Sequence, residues 1–357
     1  MELKEKINFY INIAQSNVSN YLIIMICNVK NITKSYKDYK RDSIISEYYS
    51  YNQYEEILTS LRKIGFEVIC YFDENSFIID YLSGKLNHKS KKNLVLNSAQ
   101  TGTGAGRKSL IPAFCELNNI LHTNSDSFIS SYTRQKYHWY CYLKEGGFPV
   151  AQSWLYCWNY GWYHQQPPEG EKLLLKLNRE ASSIGLSENN IIIYNSDALT
   201  LIDDLSRSYS QPVIIQKFIP GYEVEVPCLV SDQTSISFDP TGIKVGSNRN
   251  LGDTILNYNI RGEHLFSFYN FSESNEQLSE KIKIMTESIA IKLSLFGLAR
   301  IDYRISENNS FFITDISSNP HITKSMTFYY LYKKLGYSYE DVLLTLLGIS
   351  IEKGTFK

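Results

Sequence analysis

The sequence predicts an α/β chain in three units, the first of them a parallel sheet wrapped by helices. Three observations lead there. The chain has 357 residues, more than one hydrophobic core usually serves. Before about Asn124, short apolar runs alternate with amphipathic helical segments, as β and α elements do around a parallel sheet. After Pro212 come strand pairs joined through Pro220-Gly221 and through Asn308-Asn309. The units are expected at residues 1–127, 128–212 and 213–357.

In the first unit Tyr21–Val29 reads as a strand and Tyr54–Ile64 as an amphipathic helix stopped by Gly65. Phe66–Tyr71 and Asn93–Asn97 are further strands, and Ser109–Asn118 is a helix with Pro112 in its first turn. In the second unit Asp126–Glu145 reads as one helix ended by Gly146-Gly147. The aromatic stretch Trp154–Tyr163 reads as packing. The strand Lys172–Leu177, a loop of small residues, the strand Ile191–Tyr194 and the helix Ser196–Ser208 follow. The unit has the size of a lid or nucleotide-clamping subdomain. In the third, strands Val213–Phe218 and Glu223–Val230 precede a loop-rich stretch, Asp239–Arg261. The helix Ser274–Leu295, the hairpin Leu298–Ile316, the polar loop Ser317–Thr323 and the helix Tyr339–Leu347 complete the chain.

Composition narrows the function classes. A hydrophobic fraction of 43% with 20% charged residues is that of a soluble globular protein. A net charge of −1 gives no global field toward nucleic acid or an anionic membrane. The opening residues, Met1-Glu2-Leu3-Lys4, lack the apolar core of a signal peptide, and Tyr21–Cys27 is too short to span a bilayer. The 6 cysteines are scattered without a Cys-x-x-Cys pair, so reduced thiols in a cytoplasmic protein are expected. The histidines show no metal spacing.

The hairpin Leu298–Ile316 concentrates charge. If its turn centres between Asn308 and Asn309, Asp302 lies opposite Asp315 and Arg300 opposite Ser317, all on one face. Facing carboxylates repel, and a hard divalent cation such as magnesium would relieve them. Arg300 beside them would hold the charge of a transferring phosphoryl group. On geometry alone, a surface hairpin with solvated aspartates is the more ordinary reading.

Arg300-Ile301-Asp302 followed by Thr314-Asp315-Ile316-Ser317-Ser318-Asn319-Pro320 resembles the ATP-grasp pattern Arg-x-Asp … Glu-x-Asn-x-x-Pro. Within that superfamily the chain is similar to the D-alanine–D-alanine ligases. The resemblance implies a three-domain ATP-grasp fold with an N-terminal parallel α/β domain. It also implies a metal site on Asp302, Asp315 and Ser317, and Arg300 as the catalytic cation on the acyl phosphate. Asp315 stands where the family usually has glutamate, Ser317 where it has asparagine, and His321 where it has glycine.

Three more segments match. Lys176 and the loop Asn178-Arg179-Glu180-Ala181-Ser182-Ser183-Ile184-Gly185 resemble the phosphate-covering loop, with Ser182 also at the first substrate. Taken alone, the segment is an ordinary strand and loop with a snorkelling lysine. Lys136 fits the family's other ATP lysine. Gln216-Lys217-Phe218-Ile219-Pro220-Gly221-Tyr222-Glu223 matches the adenine and ribose segment, with Gln216 in place of glutamate and Glu223 at the ribose.

Gly102-Thr103-Gly104-Ala105-Gly106 misses the dinucleotide spacing Gly-x-Gly-x-x-Gly, so a nicotinamide site is the weaker reading. The family's loop histidine, its early Glu-x-x-Ser motif and its lysine–tyrosine pair have no clear match here, although Glu47 and Ser50 lie in the region of the second. Recognition of the first substrate is therefore expected to differ from that of a cell-wall ligase.

The resemblance implies an ATP-dependent carboxylate–amine ligase working through an acyl phosphate, with ATP and Mg²⁺ (Mn²⁺ as substitute) and an amino acid or small peptide as substrate. A nucleotide-binding protein with little turnover and a strict D-alanine–D-alanine ligase are the alternatives. Neither nucleic acid nor membrane is expected as partner; the resemblance allows a homodimer through the first unit, which is common in the family.

Overall fold

The computed structural model describes residues 2–34, 38–87, 90–232, 234–263, 265–273 and 275–355. Met1, His88, His264 and Ser274, the expected start of the long helix, lie outside the described residues.

The first layer runs α1 (Leu3–Ser16), β1 (Tyr21–Cys27), α2 (Tyr51–Ile64), β2 (Glu67–Tyr71), α3 (Glu74–Leu82), β3 (Lys92–Ser98), α4 (Leu110–Leu117) and β4 (Leu121–His122). Its strands lie in the order β2-β1-β3-β4, all parallel. Every residue of β1 is buried, as a central parallel strand covered on both faces must be. Ser50 caps α2 by accepting from the Gln53 amide at 3.2 Å, and Gly65 ends it at φ 108°. Ser50 thus serves as a helix cap.

The second layer contains α5 (Ser127–Thr133), α6 (Lys136–Glu145), β5 (Ser153–Cys157), β6 (Gly161–Trp162), β7 (Lys172–Leu177), β8 (Ile191–Ile193), α7 (Ala198–Tyr209) and β9 (Val213–Lys217). The strands pair antiparallel in the order β6-β5-β9-β7-β8. The one helix expected over Asp126–Glu145 is two. Asn178, distant in sequence, supplies the reason. Its carbonyl accepts from the Lys136 amide at 3.0 Å and its side-chain oxygen from the Tyr137 amide at 2.8 Å, so a new helix starts at Lys136. On β7, Leu173, Leu175 and Leu177 enter the core beneath α7, which leaves Leu174 and Lys176 on the other face.

The third layer holds β10 (Tyr222–Ser231), β11 (Thr234–Ser237), β12 (Thr241–Val245), α8 (Tyr258–Gly262), β13 (Phe266–Asn270), α9 (Glu276–Lys292), β14 (Gly297–Ile305), β15 (Phe311–Ser317), α10 (Thr327–Lys334) and α11 (Tyr339–Thr355). The sheet order is β13-β12-β10-β14-β15, with β11 paired to β10. The stretch expected to be loop-rich, Asp239–Arg261, contains β12 and all but the last residue of α8. β12 carries Gly242, where a Cβ would meet the Tyr269 ring at 2.1 Å; glycine inside the run hides the strand from its sequence pattern.

Helix α9 covers the outer face of this sheet through Leu278, Ile282 and Ile289, packed on Val224, Val226, Ile301 and Tyr303. Strand alternation then places Glu223 and Glu225 of β10 and Arg300, Asp302 and Arg304 of β14 on the inner face. Helices α10 and α11 join the core of the first layer: Phe328, Leu343 and Leu347 share one cluster with Tyr10, Ile57 and Met25. The parallel sheet and the two antiparallel sheets therefore meet around one space.

Candidate active site

That space is a cavity of 540 Å³, the size of a small-molecule site. Lys136, Lys176, Ser182, Ser183, Gln216, Lys217, Phe218, Ile219, Glu223, Arg300, Asp302, Asp315 and Ser317 all line it. Four sequence-distant segments thus bring every anticipated site residue to one place. Lys108, Arg134, Glu225 and Arg304 escaped the sequence reading, which named Glu180 only as part of the loop; all but Glu225 line the same cavity.

Register organises the acidic end. Asp302 pairs with Asp315 on one side and with Glu225 on the other, so three adjacent strands carry a row of carboxylates. The Arg300 guanidinium lies among them. It forks onto Asp302 at 2.7 and 2.8 Å and reaches Glu225 at 3.2 Å. Glu225 also accepts from the Thr327 hydroxyl. Burial, with Glu225 and Asp315 nearby, pushes the Asp302 carboxyl up to about 7 despite the Arg300 fork. Asp315 is held below the usual carboxylate range: burial opposes this, but the Lys136 and Lys176 ammonium groups prevail. Lys136 lies 3.3 Å from Asp315 and donates to the Glu180 carbonyl at 2.6 Å.

The turn of the hairpin differs from expectation. Ile305 pairs with Phe311, so the turn centres on Asn308, and the register shifts at Thr314 before Asp302 meets Asp315. The anticipated pairing is present, through a turn and a bulge together. The Thr314 hydroxyl is buried beside the cavity without a hydrogen-bond partner.

At the opposite wall Lys176 donates to the Gln216 side-chain oxygen at 3.1 Å and approaches the Thr314 carbonyl at 3.5 Å. Burial lowers it to about 8, with Asp315 and Glu223 opposing the shift. The Gln216 oxygen, expected free for adenine, therefore has one lone pair engaged. Glu223 pairs with Arg304 at 3.2 Å, and Arg304 also donates to the Ile219 carbonyl at 2.9 Å. Gly221, at φ 133°, fixes this turn: a Cβ there would sit 2.0 Å from the Ile305 carbonyl oxygen. Ser182 and Ser183 hold left-handed φ angles of 51° and 59°, a strained pair in the loop over the cavity.

Glu47 and Glu180 are buried in an ion cluster. Arg107 lies 2.6 Å from Glu47 and 3.0 Å from Glu180, and Arg134 lies 3.5 and 3.3 Å from the same two. The Ala181 amide also donates to Glu47 at 3.3 Å, which ties the serine loop to the first layer. Asn319 links β3 to the site: it donates to the Asn97 carbonyl at 2.9 Å and accepts from Asn124 at 2.7 Å. His321 stacks on Tyr49 with centroids 4.6 Å apart.

The donor set suits magnesium better than a metal that demands a full protein cage. Among the described residues, no group of three or more His, Cys, Asp or Glu side chains could hold a metal ion. Magnesium takes one or two carboxylates and completes its shell with phosphate oxygens and water. Asp302, Asp315 and Ser317, which line the cavity together, offer oxygens of this kind. No helix among the described residues is long and apolar enough to cross a membrane, and the described cysteines form no disulfide.

The chain is similar to known proteins in sequence and in fold. The D-ala D-ala ligase C-terminus family matches residues 171–348. A D-alanine–D-alanine ligase from Thermotoga petrophila is 25% identical over 84% of this chain and 92% of its own length. One from Wigglesworthia glossinidia brevipalpis is 24% identical over 50% of this chain, and the match spans 48% of that protein. The D-alanine–D-alanine ligase of Bacillus anthracis, solved in complex with ATP, shares the fold: TM-score 0.68, 13% identity, 94% of this chain and 99% of that one. The D-Ala:D-Ser ligase of Enterococcus faecalis does so at TM-score 0.65 and 15% identity, over 93% and 99%. The chain thus has the fold of the D-alanine–D-alanine ligases, and its residues 171–348 match their C-terminal family.

Proposed function

We propose that the protein is an ADP-forming carboxylate–amine ligase that joins an amino acid or small peptide to an amine through an acyl phosphate. The observation that carries the reading is the convergence of two lysines, an arginine and a row of carboxylates on one cavity between the sheets. The relatives' own activity as D-alanine–D-alanine ligases supports the reaction class.

Each residue then has a task. Lys136 and Lys176 neutralise the phosphates of ATP as point charges. The backbone of Gln216–Ile219 lies along the adenine, and Glu223 accepts from the ribose hydroxyls. Asp302, Asp315 and Ser317 would hold Mg²⁺, or Mn²⁺ in its place, which when bound would neutralise phosphate charge. A carboxylate oxygen of the acid attacks the γ-phosphorus and ADP leaves; the amine nitrogen then attacks the acyl carbon and phosphate leaves. Arg300, already desolvated, stabilises the oxyanion between these steps. Ser182, on the loop that Glu47 anchors, orients the first substrate and shields the acyl phosphate from water. A cytoplasmic homodimer acting on small molecules is the setting this reading implies.

A second reading, nucleotide binding with little turnover, rests on one observation: Asp302 gives both oxygens to Arg300 and Asp315 faces Lys136. A coupled ADP assay over paired amino acids separates the two. The ligase reading expects amine-dependent ADP release that vanishes in Asp302→Asn. ATP-induced thermal stabilisation with no amine-dependent ADP release, or ADP release untouched by Asp302→Asn, rejects it.

A further inference from the structure

The bulge on β15 does more than bring Asp315 level with Asp302. Ile313 pairs with Tyr303 and Asp315 with Asp302, so Thr314 has no partner on β14. From the other side the Ile313 amide donates to the Pro149 carbonyl at 2.8 Å. Ile313 and Ile316 both enter the core beneath α9, three residues apart where strict alternation allows two or four. The two residues between them, Thr314 and Asp315, therefore line the cavity together.

Asp315 has a partner there, Lys136 at 3.3 Å. Thr314 is only 7% exposed, and its hydroxyl has no hydrogen-bond partner among the described residues. A hydroxyl buried in this way costs free energy in the free protein. On the wall of a ligand cavity, such a group points to a partner carried by the ligand.

Register indicates which part of the ligand. Glu225, Asp302 and Asp315 form one row across the sheet, and Glu223, Arg304 and Phe312 form the next. Thr314 lies between the two rows. In the ligase reading the first row faces the phosphates and the second, through Glu223, the ribose. Lys176, a phosphate cation in that reading, approaches the Thr314 carbonyl at 3.5 Å.

We infer that Thr314 is a further nucleotide-binding residue, its hydroxyl donating to the α-phosphate where the triphosphate joins the ribose. The inference rests on the nucleotide part of the ligase reading and not on turnover.

The test is the affinity of Thr314→Val and Thr314→Ser for a non-hydrolysable ATP analogue, ADP, AMP and adenosine, measured by calorimetry. Valine keeps the shape and loses the hydroxyl; serine keeps the hydroxyl. Thr314→Val is expected to weaken the analogue, ADP and AMP by about tenfold each, the worth of one hydrogen bond to a charged group, and to leave adenosine unchanged. Thr314→Ser restores the affinity. The same loss is expected with and without Mg²⁺, which separates the hydroxyl's own contact from a disturbed Asp315. The melting temperature of the free protein should be unchanged or higher in Thr314→Val, because an unpaired buried hydroxyl is removed. A loss seen only with Mg²⁺, a loss that extends equally to adenosine, or a lower melting temperature of the free protein overturns the inference. Wild-type binding of the analogue that is unmoved in Thr314→Val rejects this inference alone. No binding of any of these nucleotides to the wild type rejects the nucleotide reading and this inference with it.

Discussion

Asp302 lies directly opposite Asp315 because a bulge at Thr314 offsets a turn centred on Asn308. The two features are one device. The turn alone would pair Asp302 with Thr314; the extra residue brings Asp315 level and leaves the Thr314 carbonyl toward Lys176.

The turn depends on Asn309, which holds φ 63° while its amide donates to Ser306 at 2.9 Å. Asn309→Gly is expected to be near neutral. Asn309→Val should cost about 1–2 kcal/mol, because a β-branched residue pays the full left-handed penalty. Urea unfolding midpoints check this; equal midpoints for the two variants would place the turn elsewhere.

Lys176 gives the pH dependence. Burial lowers it from 10.5 to about 8, so its charge is lost as pH rises through that value, and bound phosphate favours the charged form. Affinity for an ATP analogue should therefore fall between pH 7.5 and 9.5, by at most about tenfold per pH unit for a single group. Calorimetry in buffers of different ionisation enthalpy should show proton uptake on binding. In Lys176→Met both effects should shrink; an unchanged pH profile would assign them to another group.

Glu47 makes a structural prediction. Burial would raise its carboxyl, but Arg107 and Arg134 hold it well below the usual range. Its stabilisation is therefore fully present above the ordinary value of 4.5 and is lost as pH falls toward the folded value. Glu47→Gln leaves two buried guanidinium groups short of charge and should cost about 3–5 kcal/mol at pH 7. The difference from wild type should narrow below pH 4.5. A constant difference across pH would remove the carboxylate from the argument.

What the sequence made legible follows from range. The bounds of β7 and the side-chain order of β14 come from local alternation, and they were readable. The Asp302–Asp315 pairing was also reached, although the bulge that produces it leaves no mark in the residue pattern. The break before Lys136 was not legible, because its cap is Asn178, 41 residues beyond Tyr137 in the loop after β7. Helix α1 carries its buried residues Ile7, Tyr10, Ile11 and Ala14 at helical spacing, so it was readable in principle. Arg134 and Lys108 are illegible for the same reason as the cap: each owes its place to Glu47 or to the cavity, which exist only once the layers meet. Arg304 was readable in principle, two residues beyond Asp302 on the same face.

The central claim is transfer of a phosphoryl group to a carboxylate, and oxygen labelling tests it most directly. The acid is supplied with ¹⁸O in its carboxyl group, together with ATP, Mg²⁺ and an amine. If an acyl phosphate forms and the amine displaces it, the released phosphate carries one ¹⁸O atom and the nucleotide product is ADP. Unlabelled phosphate, or AMP with pyrophosphate, would contradict the account.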